Sequence, residues 1–324
     1  MKAIVQHEYG SPDVLKVEDV DPPVVGDHDV LVRVRAAAVN PLDWHTIRGL
    51  PYPLRIGNGL FQPENRVSGV DASGLVEAVG KNVTRFQKGD EVFGACKSAF
   101  AEYARAAEDR LVLKPASLTF EQAAAIPVAG LTALQALRDR GQLQPGQNVL
   151  IVGASGGIGT FAVQIAKSLG ANVTGVCSTR NVDLVRSLGA DDVIDYTRQD
   201  YPDYGRRYDV IVDMAGTHPL SVCRRALTDR GTYVIVGAPS GRWIRGPDRF
   251  LKALLLTPFV GQRLVPFISN ANLGDLTRLK ELAEGGTMTP VIDRCYAFSE
   301  TPEAIRYLET GHARGKVVIS VSST

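Results

Sequence analysis

The sequence predicts an α/β protein: a doubly wound parallel sheet joined to a mainly antiparallel β unit. Three observations predict it. Residues 148–159 read Asn-Val-Leu-Ile-Val-Gly-Ala-Ser-Gly-Gly-Ile-Gly, an apolar run that breaks into glycines and passes straight into a helical pattern. From about residue 121 to about 261, apolar runs of strand length alternate with helical stretches, as in a parallel sheet covered on both faces. Before residue 120 the runs are short, separated by turn residues and poor in helical periodicity, which reads as a compact antiparallel β unit.

The first unit opens on a strand at 2–5, with further strands at 15–17, 30–34, 74–79 and 91–93. Pro22-Pro23, Val25-Gly26-Asp27 and Lys88-Gly89-Asp90 supply turns, because proline presets φ and glycine admits positive φ. In the second unit, strands are expected at 149–152, 172–176, 193–194, 210–213 and 232–236, with a helix at 160–169. The tail returns to the style of the first unit. It carries a helix at 302–310, with Thr301 as N-cap and Pro302 at the first position, and then a strand at 316–321. A closing strand after a mixed segment implies that the C-terminus crosses back to complete the N-terminal unit. The expected divisions are 1–122, 123–262 and 263–324.

Composition sets the bounds. The chain has 324 residues, is 44% apolar and carries a formal net charge of +1, enough for two cores and without an electrostatic footprint for nucleic acid. Cys96, Cys177, Cys223 and Cys295 show no C-x-x-C spacing, which fits a reducing compartment. The chain begins directly on a strand pattern with no leader, so a cytoplasmic location is expected. No run reaches the length of a membrane span. Residues 250–268 are apolar but contain Lys252, Pro258, Gly261 and Arg263. They fit a dimer surface or a cleft wall better than an amphipathic membrane contact.

The run Val149, Leu150, Ile151, Val152 has the branching of a buried parallel strand. In that context the glycines acquire chemistry. Gly156 and Gly157 let backbone N–H groups approach a pyrophosphate, and Gly159 lets the helix pack closely on the strand. The helix N-terminus adds partial positive charge. Ser155 and Ile158 complete this cradle, which is a dinucleotide site. About 20 residues further on, an NAD-specific site places an acid against the ribose hydroxyls. Here the segment is Ser178-Thr179-Arg180-Asn181. A hydroxyl and a guanidinium suit the 2′-phosphate of NADPH instead, and Tyr196 is a further donor. Gly237, after the strand at 232–236, is counted with the cofactor-binding residues.

These stretches, together with several others, resemble the medium-chain dehydrogenase/reductase superfamily and, within it, the zinc-free quinone oxidoreductase-like group. The others are Ala38-Val-Asn-Pro-Leu-Asp-Trp44, Gly69-Val-Asp-Ala-Ser-Gly74, Val79-Gly80, Phe86-Gln-Lys-Gly-Asp-Glu-Val-Phe-Gly94, Ala129-Gly-Leu-Thr-Ala133 and Leu188-Gly-Ala-Asp191. The resemblance covers nearly the whole chain. It implies a GroES-like catalytic domain plus a Rossmann domain, an active site in the cleft between them, NADPH and a homodimer. It further implies that Asn40, Thr132, Gly315 and Lys316 line the nicotinamide side.

The zinc branch of that superfamily has a cysteine at Asn40-Pro41 and a His-Glu pair at Val70-Asp71, and its structural-zinc lobe needs four cysteines where only Cys96 stands. No metal is expected, since a zinc site needs three or four converging ligands. Without a Lewis acid worth several kcal/mol to an alkoxide, hydride transfer favours substrates that delocalise the charge themselves. These are α,β-unsaturated carbonyls and, as an alternative, quinones. The protein then orients the reactants, excludes water and offers donors to the oxygen. In the segment 40–52 the candidates for polarising or protonating that oxygen are Tyr52, His45 and Arg48, with Tyr52 favoured by the resemblance. Trp44 reads as core packing, and Asp43 as a residue that bonds local backbone. Cleft walls are expected from about 41–66 and 239–270. A third reading, of another class, is a non-catalytic NADPH-binding protein. The expected partners are small molecules and a second copy, not nucleic acid.

Overall fold

The structure, a computed structural model, describes residues 1–237, 247–257 and 260–321, with the backbone alone at 247–250. Residues 238–246, 258 and 259, which include Pro258 and part of the expected cleft wall at 239–270, lie outside the described residues. In chain order the first elements are β1 (Lys2–Val5), β2 (Lys16–Asp19), β3 (Asp29–Val39), α1 (Pro41–Arg48), α2 (Arg55–Asn58), β4 (Asp71–Val79), β5 (Glu91–Ala95), β6 (Tyr103–Ala107), β7 (Leu111–Leu113), α3 (Phe120–Ala124) and α4 (Pro127–Gln135). Then follow β8 (Asn148–Val152), α5 (Gly157–Ser168), β9 (Asn172–Cys177), α6 (Val182–Ser187), β10 (Asp192–Asp195), β11 (Tyr208–Asp213), α7 (Leu220–Arg225), β12 (Leu227–Ile235), α8 (Pro247–Leu256) and β13 (Arg263–Pro266). The chain closes on α9 (Leu273–Glu284), β14 (Ile292–Ala297), α10 (Thr301–Glu309) and β15 (Lys316–Ser320).

Two units result. Unit 1 comprises Met1–Leu131 with Ala271–Thr324, and unit 2 is Thr132–Asn270. The divisions fall a few residues beyond those read from the sequence.

In unit 1 the main sheet runs β14-β15-β3-β4-β5-β7, with β6 also paired to β3. Its pairings are antiparallel apart from β14 with β15. The period-2 alternation of side chains lets β3 serve two faces. Ala37 and Val39 enter the larger core with Ile4, Val32, Phe100 and Ile319, whereas Ala36 and Ala38 pack with Ala124 of α3 and Val318. The closing strand β15 sets Val317 opposite Val39 and Ser320 opposite Ala36.

Unit 2 is a six-stranded, wholly parallel sheet in the order β10-β9-β8-β11-β12-β13. Strand order reverses at β8, so a crevice opens at the carboxyl ends of β8 and β11, where doubly wound folds bind ligands. Val149, Leu150 and Ile151 are fully buried, as a strand covered on both faces requires.

Several sequence expectations need correction. The helix expected at 160–169 begins at Gly157, because Gly157 and Gly159 lie in its first turn rather than in the loop before it. The helix expected from Pro302 begins at Thr301, and Glu300 is the N-cap. A 3-10 turn over Phe298–Glu300 runs directly into it; Glu300 accepts from Ala297 N, and the Thr301 hydroxyl donates to Phe298 O at 2.7 Å. Residues 41–48, part of the expected cleft wall at about 41–66, form helix α1. Strands β6, β7, β13 and β14 and helix α9 went unread, being short, alanine-rich or highly charged.

Candidate active site

The glycine loop begins where β8 ends. Gly153 has φ +87°, open only to glycine at ordinary cost. A Cβ on Gly159 would stand 2.1 Å from Gly153 O, so that position is fixed by the close approach of α5 to the strand. Gly156 differs: it has negative φ, and a Cβ there would meet protein only at 3.4 Å, projecting into open space. It is the N-cap of α5 and, lacking a side chain, gives no cap hydrogen bond. The first-turn N–H groups around Gly157 and Ile158 therefore keep their donors for a ligand. Ser155 is nearly buried beside them. This cradle, which a methyl group would fill, fits a pyrophosphate.

At the tip of β9, Ser178 starts the 3-10 turn Thr179–Asn181, and Arg180 projects from that turn with its side chain exposed. Tyr196, just past β10, is 57% exposed, and its backbone N–H donates to Cys177 O at 3.0 Å. The sequence reading had no acid at this end; the structure brings one there, Asp195, on the neighbouring strand. Its carboxylate accepts from the Thr179 hydroxyl at 2.6 Å and the Thr197 hydroxyl at 2.7 Å, and the first of these bonds holds it below its ordinary value. Asn181, also missed, is buried and donates through Nδ2 to Ser155 Oγ at 3.0 Å and Ser178 Oγ at 3.2 Å. Gly237 sits where a Cβ would lie 1.9 Å from Met214 O, so the approach of the ends of β11 and β12 demands glycine there. Thr132, the first residue of unit 2, donates its hydroxyl to Ser269 Oγ at 2.8 Å.

Unit 1 holds a buried polar cluster. Lys316, the first residue of β15, is 3% exposed and Asp71, the first residue of β4, is 0% exposed. Lys316 Nζ donates to Asn40 Oδ1 at 2.6 Å and approaches Asp71 Oδ2 at 3.4 Å. Asn40 Nδ2 donates to the same carboxylate oxygen at 3.0 Å, and Val128 N donates to Asp71 Oδ1 at 3.0 Å. Asn40 is the N-cap of α1, yet its side chain is turned to this cluster. Asp43 instead accepts from Asn40 N at 2.7 Å. Burial pushes the Asp43 carboxyl up to about 7, with Asp71 adding to the effect. Burial also raises Asp71, and Lys316 pulls against it. Gly315, expected beside Lys316, has φ +112°, and a Cβ would stand 2.3 Å from Val291 O; its requirement is structural.

The other candidates in 40–52 are engaged elsewhere. His45 Nδ1 bonds Leu50 O at 2.7 Å, its ring stacks on Trp44, and burial lowers its pKa. Arg48 forks onto Glu309 of α10, with Nη2 to Oε2 at 2.9 Å. Trp44 packs against the unit 1 core. Tyr52 is half-buried in the turn Tyr52–Leu54, with the Arg55 guanidinium 4.9 Å over its ring. Asp71 is the residue that sequence reasoning should have found: an acid among Gly69, Val70, Ala72 and Ser73, at the head of a strand with no charged neighbour.

Among the described residues, no group of three or more His, Cys, Asp or Glu is arranged to hold a metal ion, and no helix is long and apolar enough to cross a membrane. In the stretch 250–268, Leu251, Leu254 and Leu255 of α8 are exposed while Ala253 is buried.

Comparison with known proteins agrees with this architecture. Residues 26–116 match the alcohol dehydrogenase GroES-like domain, and residues 188–319 match the family described as zinc-binding dehydrogenase. The chain is 33% identical to the 2-methylene-furan-3-one reductase of Solanum lycopersicum, over 98% of this chain and 79% of that protein. It is equally similar, 33% with the same coverages, to the chloroplastic NADPH-dependent alkenal/one oxidoreductase of Arabidopsis thaliana. The structure of the quinone oxidoreductase from Coxiella burnetii superposes with a TM-score of 0.87 at 32% identity, covering 99% of both chains.

Proposed function

Because the chain belongs to the medium-chain dehydrogenase/reductase superfamily, in its zinc-free quinone oxidoreductase-like group, we propose that it reduces the activated double bond of an α,β-unsaturated carbonyl with NADPH. One observation carries the reading: likeness over 98% of the chain to proteins named for reducing a methylene-furanone and alkenals or alkenones. All of these substrates are conjugated carbonyls. Quinone reduction is the second reading, favoured by the likeness to the Coxiella enzyme.

When bound, NADPH supplies the hydride. The N–H groups at Gly157 and Ile158, with Ser155 and the close approach that Gly156 allows, are the proposed holders of its pyrophosphate. Ser178, Arg180 and Tyr196 are proposed for the 2′-phosphate, Arg180 by charge-assisted donation. Gly237 and Thr132 are proposed to complete the cofactor site in unit 2. In unit 1, Lys316 and Asp71 lock the Asn40 amide from both sides, so it cannot reorient as charge develops. Asn40, Gly315 and Lys316 are the proposed contribution of this unit to ligand orientation, and Tyr52 is the proposed donor to the substrate oxygen. We further propose a homodimer in the cytoplasm, supported by the exposed leucines of α8 and by thiols with no disulfide.

The test is nicotinamide absorbance with NADPH and with NADH against an enal, an enone, a quinone and a saturated ketone, with chelator present. Turnover of enal or enone but not ketone supports the reading. Turnover of the quinone alone promotes the alternative. Tight NADPH binding with silence throughout means either a substrate outside this panel or a non-catalytic role.

A further inference from the structure

Asn181 joins the two segments of unit 2 that a dinucleotide would touch. Its Nδ2 donates to Ser155 in the glycine loop and to Ser178 at the tip of β9. The side chain is 95% buried, at 5% exposure, yet its Oδ1 has no hydrogen-bond partner among the described residues. A buried carbonyl without a donor is rare and costly, so it signals an unmet ligand or water.

The chemistry of an amide makes this position unusual. Both of its present partners are hydroxyls, and a serine hydroxyl can donate as readily as it accepts. Rotating the amide by half a turn would let Oδ1 accept from Ser155 and Ser178. The two N–H donors would then occupy the place of the orphan oxygen. Neither serine loses a bond. The same side chain can therefore present an acceptor or a pair of donors at one buried spot.

We propose that Asn181 is a specificity-determining residue that reads the adenosine ribose of the cofactor in either of its two amide orientations. As an acceptor it takes a hydrogen bond from a ribose hydroxyl; as a donor it binds the oxygens of a 2′-phosphate. Arg180 then sets the preference for the phosphate, and Asn181 sets how steep that preference is. The inference rests on the NADPH reading given above and goes beyond it by naming the residue that tolerates both cofactor forms.

Titration calorimetry with 2′,5′-ADP and 5′-AMP, and with NADPH and NADH, tests it without reference to turnover. In Asn181→Asp the ionised group can only accept. Its affinity for 2′,5′-ADP and NADPH should fall at least tenfold, while affinity for 5′-AMP and NADH changes by less than threefold. An unchanged ratio in a folded Asn181→Asp overturns the proposal and leaves Asn181 as a tie between loop and strand. Asn181→Ala, which offers neither donor nor acceptor, is the check should the aspartate variant fail to fold. It should weaken both ligand types several-fold, and unchanged binding overturns the proposal. If the unaltered protein binds none of the four ligands, the NADPH reading itself falls and the inference with it; binding by the unaltered protein isolates the failure to Asn181.

Discussion

Lys316 and Asn40 stand 276 positions apart in sequence, and the lysine ammonium donates to the asparagine amide oxygen at 2.6 Å. That contact closes a cluster in which one buried cation serves the amide and the Asp71 carboxylate together. Removing the cation leaves Asp71 buried and uncompensated. Lys316→Met should cost about 3–5 kcal/mol of stability. Asp71→Asn with Lys316→Met should recover most of that loss, because it removes the stranded charge. Urea denaturation of the three proteins decides it, and a single-variant cost within experimental error of zero would sink the idea.

Asp43 makes stability depend on pH with a definite sign. Its folded value, pushed up to about 7, lies above the ordinary 3.8. Between those values the folded chain keeps a proton that the unfolded chain has released. This contribution is therefore fully present below about pH 4 and is lost as pH rises to 7, by up to ~1.4 kcal/mol per pH unit. Asp43→Asn keeps an acceptor for Asn40 N and loses the titration. Its stability relative to the parent should rise from pH 5 to pH 8; a constant difference would show that Asp43 is ionised throughout.

The two glycines of the loop should respond in opposite ways. Gly159→Ala puts a methyl carbon 2.1 Å from Gly153 O and should destabilise the apo protein. Gly156→Ala has room within the protein and negative φ, so the apo melting temperature should barely move. Its methyl group fills the cradle, and NADPH affinity should fall about tenfold or more, the loss of one charge-assisted bond. Equal melting temperatures for both variants would contradict the close-approach argument.

Arg180→Ala should weaken NADPH by about tenfold or more and leave NADH nearly unchanged, since only the phosphate form has a charge for the guanidinium to meet. Calorimetric affinities for both cofactors check this, and parallel losses would move Arg180 out of the 2′-phosphate site.

Tyr52→Phe should lower kcat on an enone about a hundredfold or more, the low end for a lost general acid, with NADPH affinity unaltered. Near-full turnover would assign the substrate oxygen to another donor.

The parallel sheet was legible because a strand buried on both faces is written as continuous branched apolar residues, as at Val149 to Val152. The glycine loop was legible for the same local reason. β6 and α9 were not: three of the five residues from Tyr103 to Ala107 are alanine, and the segment draws its strand form from pairing with β3. The Asn40 and Lys316 positions were named from a family likeness, but Asp71 between them was passed over. Its role arises from three strands meeting, and no window of sequence contains that meeting. Asn181 was read only as part of an acid-free turn, for its orphan oxygen exists only once the chain has buried it.

The position of β15 between β14 and β3 has a consequence for how the chain is made. Unit 2 is one uninterrupted stretch, and every strand of its sheet has left the ribosome once Asn270 has emerged. Unit 1 must wait: its sheet lacks β14 and β15 until the last fifty or so residues are translated. During that interval the edge of β3 from Ala36 to Val39 is unpaired, and an open edge is a template for pairing with other chains. Synthesis thus favours assembly of unit 2 first, and a chain interrupted before Lys316 would carry a finished unit 2 beside an unclosed sheet.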